Sequence, residues 1–116
     1  EELAEDFDFI CLLQPTSPLR HTKDVCSAVA SAKVTAKPAV VSRAFGTNVP
    51  NGAVYVGRTP WLLRGGNFDN EADVQPIYMP EERSVDINTL DDFKQAEALL
   101  GQALGITNSG RYYREA

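Results

Sequence analysis

The first strong hydrophobic pattern is a continuous apolar run from Phe9 to Leu13, which Gln14 and Pro15 stop. Because the run does not alternate with polar residues and ends at a proline, it predicts a strand buried on both faces of a parallel sheet. A helical stripe follows, with apolar side chains at i, i+3, i+4 and i+7: Val25, Ala28, Val29 and Ala32. The next apolar stretch, 39–42, predicts a second strand and therefore a strand–helix–strand crossover.

The ends of the first helix are also marked in the sequence. Thr22 is a natural N-cap residue, and Asp24 falls in the first turn, where the helix dipole favours a negative charge. The helix should end before Pro38, which cannot continue it.

Shorter apolar stretches follow in the second half of the chain. Residues 48–52 are rich in turn formers and precede a predicted strand at 53–56. Residues 59–63 predict a turn of helix with Pro60 at its first position and Trp61 as a core or interface anchor. Residues 64–73 predict a surface loop, and two further extended pieces are predicted: 75–79, as an edge strand, and 84–87.

The last helix has the clearest signals. Thr89 to Asp92 resembles a capping box, and Gly105 is placed to end the helix. Its predicted buried face consists of Phe93, Ala96, Leu100 and Ala103 or Leu104. We therefore predict one α/β domain over residues 1–105, with a mixed, partly parallel sheet and flanking helices, followed by a tail at 106–116. Tyr112 and Tyr113 in that tail are interpreted as a packing or interface pair.

Composition narrows the classes of function. The 116 residues carry a net charge of −5, and the lysines and arginines form no basic stripe, so a nucleic-acid surface is not expected. The longest apolar run is too short for a membrane span, and the first residues are acidic, so we expect no membrane segment. Cys11 and Cys26 are interpreted as buried apolar residues, and a single histidine, His21, does not support a zinc site. These features predict a reduced, cytoplasmic protein.

The first candidate site is the loop from Gln14 to Arg20, which leaves the carboxyl end of the first strand. Open α/β sheets place their ligand crevice at that end. Two prolines stiffen the loop, so the Gln14 amide, the Thr16 and Ser17 hydroxyls and the Arg20 guanidinium would be held in place. Such groups suit sugar hydroxyls or a base edge, and the structural alternative is a rigid turn between strand and helix.

Three blocks of the sequence resemble one enzyme family. "LLQPTSPLR" is similar to a signature of acylneuraminate (CMP-sialic acid synthetase-like) cytidylyltransferases. "NGAVYV" and "YMPEERSVDINTLDDFKQAEALL" resemble two further blocks of that family and follow in the same order. The resemblance implies a Rossmann-like fold of the nucleotide-diphospho-sugar transferase type, and an activity that couples CTP to a keto-sugar acid with Mg²⁺ and releases pyrophosphate.

The resemblance also implies roles for single residues. Gln14 and Asn51 would contact the sugar acid or the cytidine nucleotide, and Tyr55 would line the sugar pocket. Asp86 would hold Mg²⁺, together with Asn88, where the family has a second aspartate. Residues at i and i+2 of an extended segment point to one side, and oxygen donors suit Mg²⁺. The alternative for Asp86 is a turn residue between a strand and a helix.

Two departures from the family bear on activity. The family's Arg-, Gly- and Lys-containing loop around the CTP phosphates has no counterpart before Phe7, and the short link at 43–50 replaces a long insertion. Since nucleotidyl transfer depends on positioning and charge stabilisation, we expect no autonomous activity. The alternatives are a non-catalytic oligomeric module, with a homodimer or higher oligomer formed through an exposed sheet edge, and one half of a split enzyme.

Overall fold

The computed structural model describes residues 7–105, so the predicted tail at 106–116 lies outside the described residues. The four strands are β1 (Phe9–Leu12), β2 (Ala39–Ala44), β3 (Pro50–Arg58) and β4 (Val74–Met79). The three α-helices are α1 (Thr22–Val34), α2 (Thr59–Leu63) and α3 (Leu90–Ala103), and single 3-10 turns lie at Glu71–Asp73 and Glu81–Arg83.

The strands form one mixed sheet in the order β1-β3-β2-β4. Strand β3 is antiparallel to both of its neighbours, whereas β2 and β4 are parallel. The predicted α/β class with a partly parallel sheet is therefore confirmed. The predicted strand–helix–strand crossover is also present, since α1 connects the parallel strands β1 and β2, with β3 between them in the sheet.

Apolar side chains cover both faces of the central strands. On one face, Ala28 and Ala32 of α1 pack against Val40, Val54 and Val56, with Val25 and Val29 partly buried beside them. The stripe predicted for this helix is thus confirmed. On the other face, a second cluster contains Ala39, Val41, Val74 and Trp61, so Trp61 is a core anchor as predicted. Burial of each valine contributes about 1.5 to 3 kcal/mol of hydrophobic free energy.

Strand β1 contradicts the prediction of a strand buried on both faces of a parallel sheet. It is an edge strand that pairs only with β3 among the described residues, and it does so antiparallel. Ile10 is 37% exposed and Leu12 is 49% exposed. The physical reason is that, within residues 7–105, α1 packs mainly over the other three strands, whereas β1 contributes Phe9 to the core cluster beneath that helix.

The cysteine prediction is also wrong, since Cys11 and Cys26 are both exposed free thiols. Cys11 shares the uncovered position of β1, and Cys26 lies on the outer side of α1, away from the buried Ala28 and Ala32. Apolar character in the surrounding sequence did not distinguish these positions from buried ones.

The helix ends were predicted correctly with one exception, the N-cap of α1. His21, not Thr22, is the N-cap of α1: its Nδ1 accepts a hydrogen bond from the backbone N–H of Lys23, and Asp24 completes a capping box. The predicted capping box of Thr89 and Asp92 is confirmed. Gly105 follows α3 with a φ of 72°, as expected for a residue that ends a helix.

The predicted buried face of α3 is confirmed only in part. Ala96 is 5% exposed and Leu100 is partly buried, but Phe93 is 46% exposed, Leu104 is 59% exposed and Ala103 is also exposed. Helix α3 reaches the loop residues Pro18 and Leu19 and does not lie over a strand, so its apolar stripe is covered along part of its length.

Two other local predictions need correction. Residues 50–52, predicted as part of a turn, belong to β3, where a register irregularity accommodates them. Residues 84–87, predicted as extended, form an irregular segment after the 3-10 turn. The edge strand predicted at 75–79 is confirmed as β4. Among residues 7–105, every helix is too short or too polar to traverse a bilayer.

Candidate functional site

The loop from Gln14 to Arg20 is braced by its own arginine. The Arg20 Nη1 donates to the carbonyl oxygens of Gln14 at 2.7 Å and Ser17 at 2.9 Å, and the Ser17 N–H donates to the Gln14 carbonyl at 3.2 Å. Hydrogen bonds from a charged donor are stronger than those between neutral groups. Arg20 therefore contributes to the shape of the loop, in addition to the positive charge predicted for it.

A backbone hydrogen bond ties this loop to the segment that carries Asp86. The Ile87 N–H donates to the Thr16 carbonyl at 2.8 Å, while the remainder of Thr16 is exposed. Residues 71 positions apart in the sequence thereby become neighbours. Two of the three blocks that carry the family resemblance meet at this contact.

The third block joins them at Gly52 in β3. Gly52 has a φ of 79°, and a Cβ built on it would lie 2.6 Å from Gln14 Oε1, 3.3 Å from Ser17 Oγ and 3.7 Å from Asp86 Cγ. The side chains of Gln14, Ser17 and Asp86 therefore converge on one bare stretch of backbone. The absence of a side chain at residue 52 makes this convergence possible.

The Asn51 side chain forms hydrogen bonds that connect β3 to β2 and to the segment before Asp86. Its side-chain oxygen accepts hydrogen bonds from Ser42 Oγ at 2.6 Å and from the Ala53 N–H at 3.1 Å. Its amide nitrogen donates to Ser84 Oγ at 3.1 Å and lies 3.5 Å from Met79 Sδ. These contacts use the hydrogen-bonding capacity of the amide. Asn51 is 8% exposed, so in this structure its side chain positions neighbouring elements.

Two of its partners, Ser42 and Ser84, were not singled out from the sequence. Ser42 is fully buried, and its hydroxyl accepts from the Val54 N–H at 2.9 Å while it donates to Asn51. The signal that could have found Ser42 is a hydroxyl residue directly after the apolar residues of a central strand, since a buried hydroxyl requires partners.

We expect Asn51→Ala to lower the free energy of unfolding by about 2 kcal/mol, because the buried partners Ser42 and the Ala53 N–H lose their acceptor. Urea unfolding followed by circular dichroism measures this loss. Asn48→Ala, at an exposed position, is the matched control and should change stability by less than about 0.5 kcal/mol. Equal effects of the two substitutions would contradict the supporting role of Asn51.

Tyr55 lies half-buried on β3 near the same site, and its ring packs against Phe68 with ring centroids 5.1 Å apart. Burial raises the pKa of the Tyr55 hydroxyl, and the negative charges of Asp69 and Asp86 raise it further. Tyr55 is therefore protonated at neutral pH and can donate a hydrogen bond.

Asp86 and Asn88 are neighbours, as the sequence predicted, although the segment that carries them is not a strand. The Asn88 Nδ2 donates to Asp86 Oδ2 at 3.2 Å. The other carboxylate oxygen, Asp86 Oδ1, is buried and has no hydrogen-bond partner. A buried oxygen without a partner costs about 1 to 3 kcal/mol, so this atom is suited to a donor group or a cation from a ligand.

A hard cation fits this arrangement. Magnesium binds proteins through one or two carboxylates, together with substrate phosphates and several waters. Asp86 Oδ1 supplies a carboxylate oxygen, and Gln14 Oε1 faces the same glycine. Within residues 7–105 no group of three or more His, Cys, Asp or Glu residues could hold a metal, so water and substrate would supply the remaining ligands.

Several cationic side chains of the chain are paired elsewhere. Arg43 lies 2.6 Å from Glu71, and Arg83 lies 2.9 Å from Asp24. Arg20 donates to loop carbonyls, as described above. The groups that converge on Gly52 are the Gln14 amide, the Asp86 carboxylate and the Ser17 hydroxyl, and Ser17 is 1% exposed and donates to the Asn51 carbonyl at 3.3 Å. The amide and the carboxylate suit a hydroxyl-rich ligand better than a triphosphate.

The Arg83–Asp24 pair is a second tie between the loop region and the segment that carries Asp86. Arg83 donates through Nε to Asp24 Oδ2 at 3.0 Å and through Nη2 to Oδ1 at 2.9 Å, a bidentate geometry. Asp24 Oδ2 also accepts from the His21 N–H at 2.7 Å. The pair thus joins the start of α1 to the 3-10 turn at Glu81–Arg83.

The outer side of the loop contributes to a groove with a volume of about 480 Å³. Pro18 to His21 form one wall, and Leu99, Leu100 and Ala103 of α3 form the other. This groove is lined by different residues from those that surround Gly52.

Comparison of the chain with protein-family models and with characterised proteins gives no match.

Proposed function

We propose that residues 7–105 form the acceptor-binding part of a cytidylyltransferase that transfers CMP from CTP to a keto-sugar acid of the sialic acid type. One observation carries the proposal: Gln14 and Ser17 from one sequence block and Asp86 from a second, distant block converge around Gly52 of the third. Convergence of separate segments on one polar site is typical of a ligand-binding site.

The fold is consistent with this proposal. The candidate loop follows the carboxyl end of β1 in a mixed, partly parallel sheet, where open α/β folds bind their ligands. We infer that the sheet is part of a Rossmann-like fold of the nucleotide-diphospho-sugar transferase type. The three sequence blocks that resemble the cytidylyltransferase family support the same inference.

The chemistry of the site favours the sugar rather than the phosphates. The amide of Gln14 and the hydroxyl of Tyr55 can exchange hydrogen bonds with sugar hydroxyls, and Asp86 Oδ1 can accept one. Ser17 is 1% exposed and its hydroxyl donates to the Asn51 carbonyl, so it would position the loop rather than contact the sugar. Charge neutralisation of the triphosphate would have to come from groups other than these.

Asp86, with Asn88 beside it, would hold Mg²⁺ in this proposal. When bound, the ion would supply charge stabilisation for the phosphate oxygens. Asn88 engages Asp86 Oδ2, which leaves Asp86 Oδ1 without a hydrogen-bond partner. Gln14, in turn, is held by the loop that Arg20 braces.

Ligand-observed NMR tests the proposal with N-acetylneuraminic acid as the probe, with and without Mg²⁺ and CTP. We expect the sugar acid to bind without nucleotide, and Asp86→Asn to weaken Mg²⁺-dependent binding about tenfold, equivalent to about 1.4 kcal/mol. Asp91→Asn, on the exposed first turn of α3, is the matched control. Absence of binding for both the sugar acid and CTP would refute the proposal.

Pyrophosphate release is the second readout. Release from CTP, Mg²⁺ and the sugar acid above the level of Asp86→Ala would show that the chain is active on its own. Sugar-acid binding without release would indicate an acceptor site whose phosphate-binding groups come from elsewhere.

A second candidate function is a non-catalytic oligomeric module. The observation that favours it is the outer edge of β1, which has no partner strand among residues 7–105, since an unpaired apolar edge is a template for pairing with another chain. In this alternative the chain forms a homodimer or higher oligomer and acts as a binding or interaction module without catalysis.

A further inference from the structure

Arg43 carries a buried positive charge near the carboxyl end of β2. The residue is 3% exposed, and within residues 7–105 its ion-pair partner is Glu71, which lies 2.6 Å from Nη2. The Nε of the same guanidinium is buried and has no hydrogen-bond partner among the described residues. Because a buried donor without a partner is costly, Arg43 is suited to a further acceptor.

The guanidinium edge of Arg43 is only half used. An arginine presents parallel N–H groups at Nε and Nη2, and a carboxylate can accept both in a bidentate pair. Arg83 forms such a pair in the same chain, since its Nε and Nη2 donate to the two oxygens of Asp24. Glu71, in contrast, accepts only from the Nη2 of Arg43. The Nε of Arg43 is therefore the donor that a bidentate carboxylate would use and that Glu71 leaves free.

Glu71 contacts this edge from the surface of the protein. Its side chain is 68% exposed, whereas that of Arg43 is 4% exposed. Glu71 begins the 3-10 turn in the loop after α2. Water solvates an exposed carboxylate well, so the loss of one ion pair costs such a residue little. A carboxylate from a ligand can therefore take the place of Glu71.

The Arg43 side chain projects to the face of the sheet that carries Tyr55. Strand β2 pairs with β4 in unbroken register, so Val41 and Arg43, two residues apart, project to the same face. Val41 is paired with Tyr55 of β3, and both belong to the cluster on that face. The loop after α2 covers both positions, since Phe68 packs against Tyr55 and Glu71 contacts Arg43.

Arg43 also lies at the edge of the sheet where the candidate site is found. Strands β1, β2 and β4 run parallel to one another, so their carboxyl ends share that edge. Arg43 is paired with Pro50, which lies two residues before Gly52. Among residues 7–105, Arg43 is the one buried cationic residue, and it is beside the site.

We propose that Arg43 binds the carboxylate of the acceptor acid, and that Glu71 occupies this position when the acid is absent. The ligand carboxylate accepts hydrogen bonds from Nε and Nη2 of Arg43, and Glu71 turns into solvent. This inference rests on the acceptor site proposed above and specifies the group that distinguishes a sugar acid from a neutral sugar. Since one carboxylate replaces another, the charge of Arg43 stays compensated.

N-acetylneuraminic acid and its methyl ester, compared on the full chain by ligand-observed NMR, test the role of the carboxylate. The ester keeps the ring and its substituents but has no negative charge. We expect the acid to bind about tenfold more tightly than the ester, because only the acid forms the charge-assisted pair. Arg43→Met should reduce this preference to about twofold or less. Arg43→Lys keeps the charge but lacks the paired N–H groups, so it should lose most of the preference as well.

Glu71→Gln tests the exchange. Removal of the internal carboxylate should strengthen binding of the acid about threefold and leave binding of the ester unchanged. Glu81→Gln is the matched control, because Glu81 is also the exposed first residue of a 3-10 turn and its substitution removes the same charge. Equal gains from the two substitutions would show an effect of net charge and would contradict exchange at Arg43.

The NMR resonance of the Arg43 Nε–H separates this inference from the proposed function. The resonance is assigned by its loss in Arg43→Lys, and we expect it to shift on titration with pyruvate, a small 2-oxo acid, at lower concentrations in Glu71→Gln than in the native chain. A response to pyruvate in a chain that binds neither sugar would support the carboxylate site and refute the acceptor proposal.

Three results would overturn the role of Arg43 while the acceptor site stands. They are equal binding of the sugar acid and its ester, a native preference for the acid in Arg43→Met that circular dichroism shows to be folded, and an Arg43 Nε–H resonance that neither the bound sugar acid nor pyruvate changes.

Discussion

Arg83→Met is expected to lower the free energy of unfolding by about 3 kcal/mol at pH 7, because the substitution leaves the Asp24 carboxylate buried without its counterion. Asp24 is 5% exposed, and both of its oxygens accept hydrogen bonds from Arg83. The Arg83 side chain is 22% exposed, so water can partly replace it and the loss falls at the lower end for buried pairs.

The same pair should make stability depend on pH. Burial raises the pKa of Asp24, but hydrogen bonds from Arg83 and from the His21 N–H outweigh it, so the pKa lies below its ordinary value. The contribution of the pair is therefore fully present above about pH 4, the ordinary pKa of aspartate, and is lost as the pH falls through the lowered pKa. The difference between the native protein and Arg83→Met should shrink below pH 4.

Urea unfolding at pH 7 and pH 3 measures both effects. Arg64→Met, at an exposed position in the loop after α2, is the control and should change stability by less than about 0.5 kcal/mol. A loss below about 1 kcal/mol at pH 7, or a loss of the same size at both pH values, would contradict the assigned role of the pair. Because the pair joins α1 to the segment before Asp86, sugar-acid binding should weaken as well.

Gly52→Ala is expected to destabilise the protein by about 2 to 3 kcal/mol and to abolish sugar-acid binding. A left-handed backbone conformation costs an alanine about 1 to 2 kcal/mol, and Gly52 has a φ of 79°. The new Cβ would also lie 2.6 Å from Gln14 Oε1, so the Gln14 side chain must move. The loss of binding follows because Gln14 and Asp86 would no longer face the same space.

Gly46→Ala separates these two causes. Gly46 has a φ of 80°, but no atom lies within 4 Å of the position that its Cβ would occupy. This control should therefore lose only the conformational contribution, about 1 to 2 kcal/mol, and should bind the sugar acid normally. Urea unfolding and ligand-observed NMR on both variants provide the comparison. Equal binding by the two variants would show that the contacts around Gly52 do not form the site.

Local structure was largely predictable from the sequence. The stripe of α1, the capping box at Thr89, the helix turn that contains Trp61 and the strand at 75–79 all depend on neighbours within a few residues. Such short-range periodicity and capping are visible in the linear sequence. The prediction of the N-cap failed by one residue, because the imidazole of His21 can accept the capping hydrogen bond as a threonine hydroxyl would.

The candidate site was predictable in its residues but not in its geometry. Gln14, Ser17 and Asp86 were identified from their blocks, and the structure brings them together at Gly52. The structural engagement of Asn51 and Arg20 was not predicted, because their partners are a buried serine from another strand and the carbonyls of the loop. Partners of this kind are known only when the backbone path is known.

By itself, the sequence determined which segments of this chain become helices and strands, where most of them end, and which residues carry candidate chemistry. Within residues 7–105, tertiary structure alone decided that β1 lies at an edge, that Cys11 is exposed and that Gly52 is the centre of the candidate site. The physical reason is that an apolar run in the sequence shows only that its burial would be favourable. Which strand or helix buries it depends on pairing between segments far apart in the chain. These two kinds of information disagree at β1, an apolar strand that pairs on one side only among the described residues.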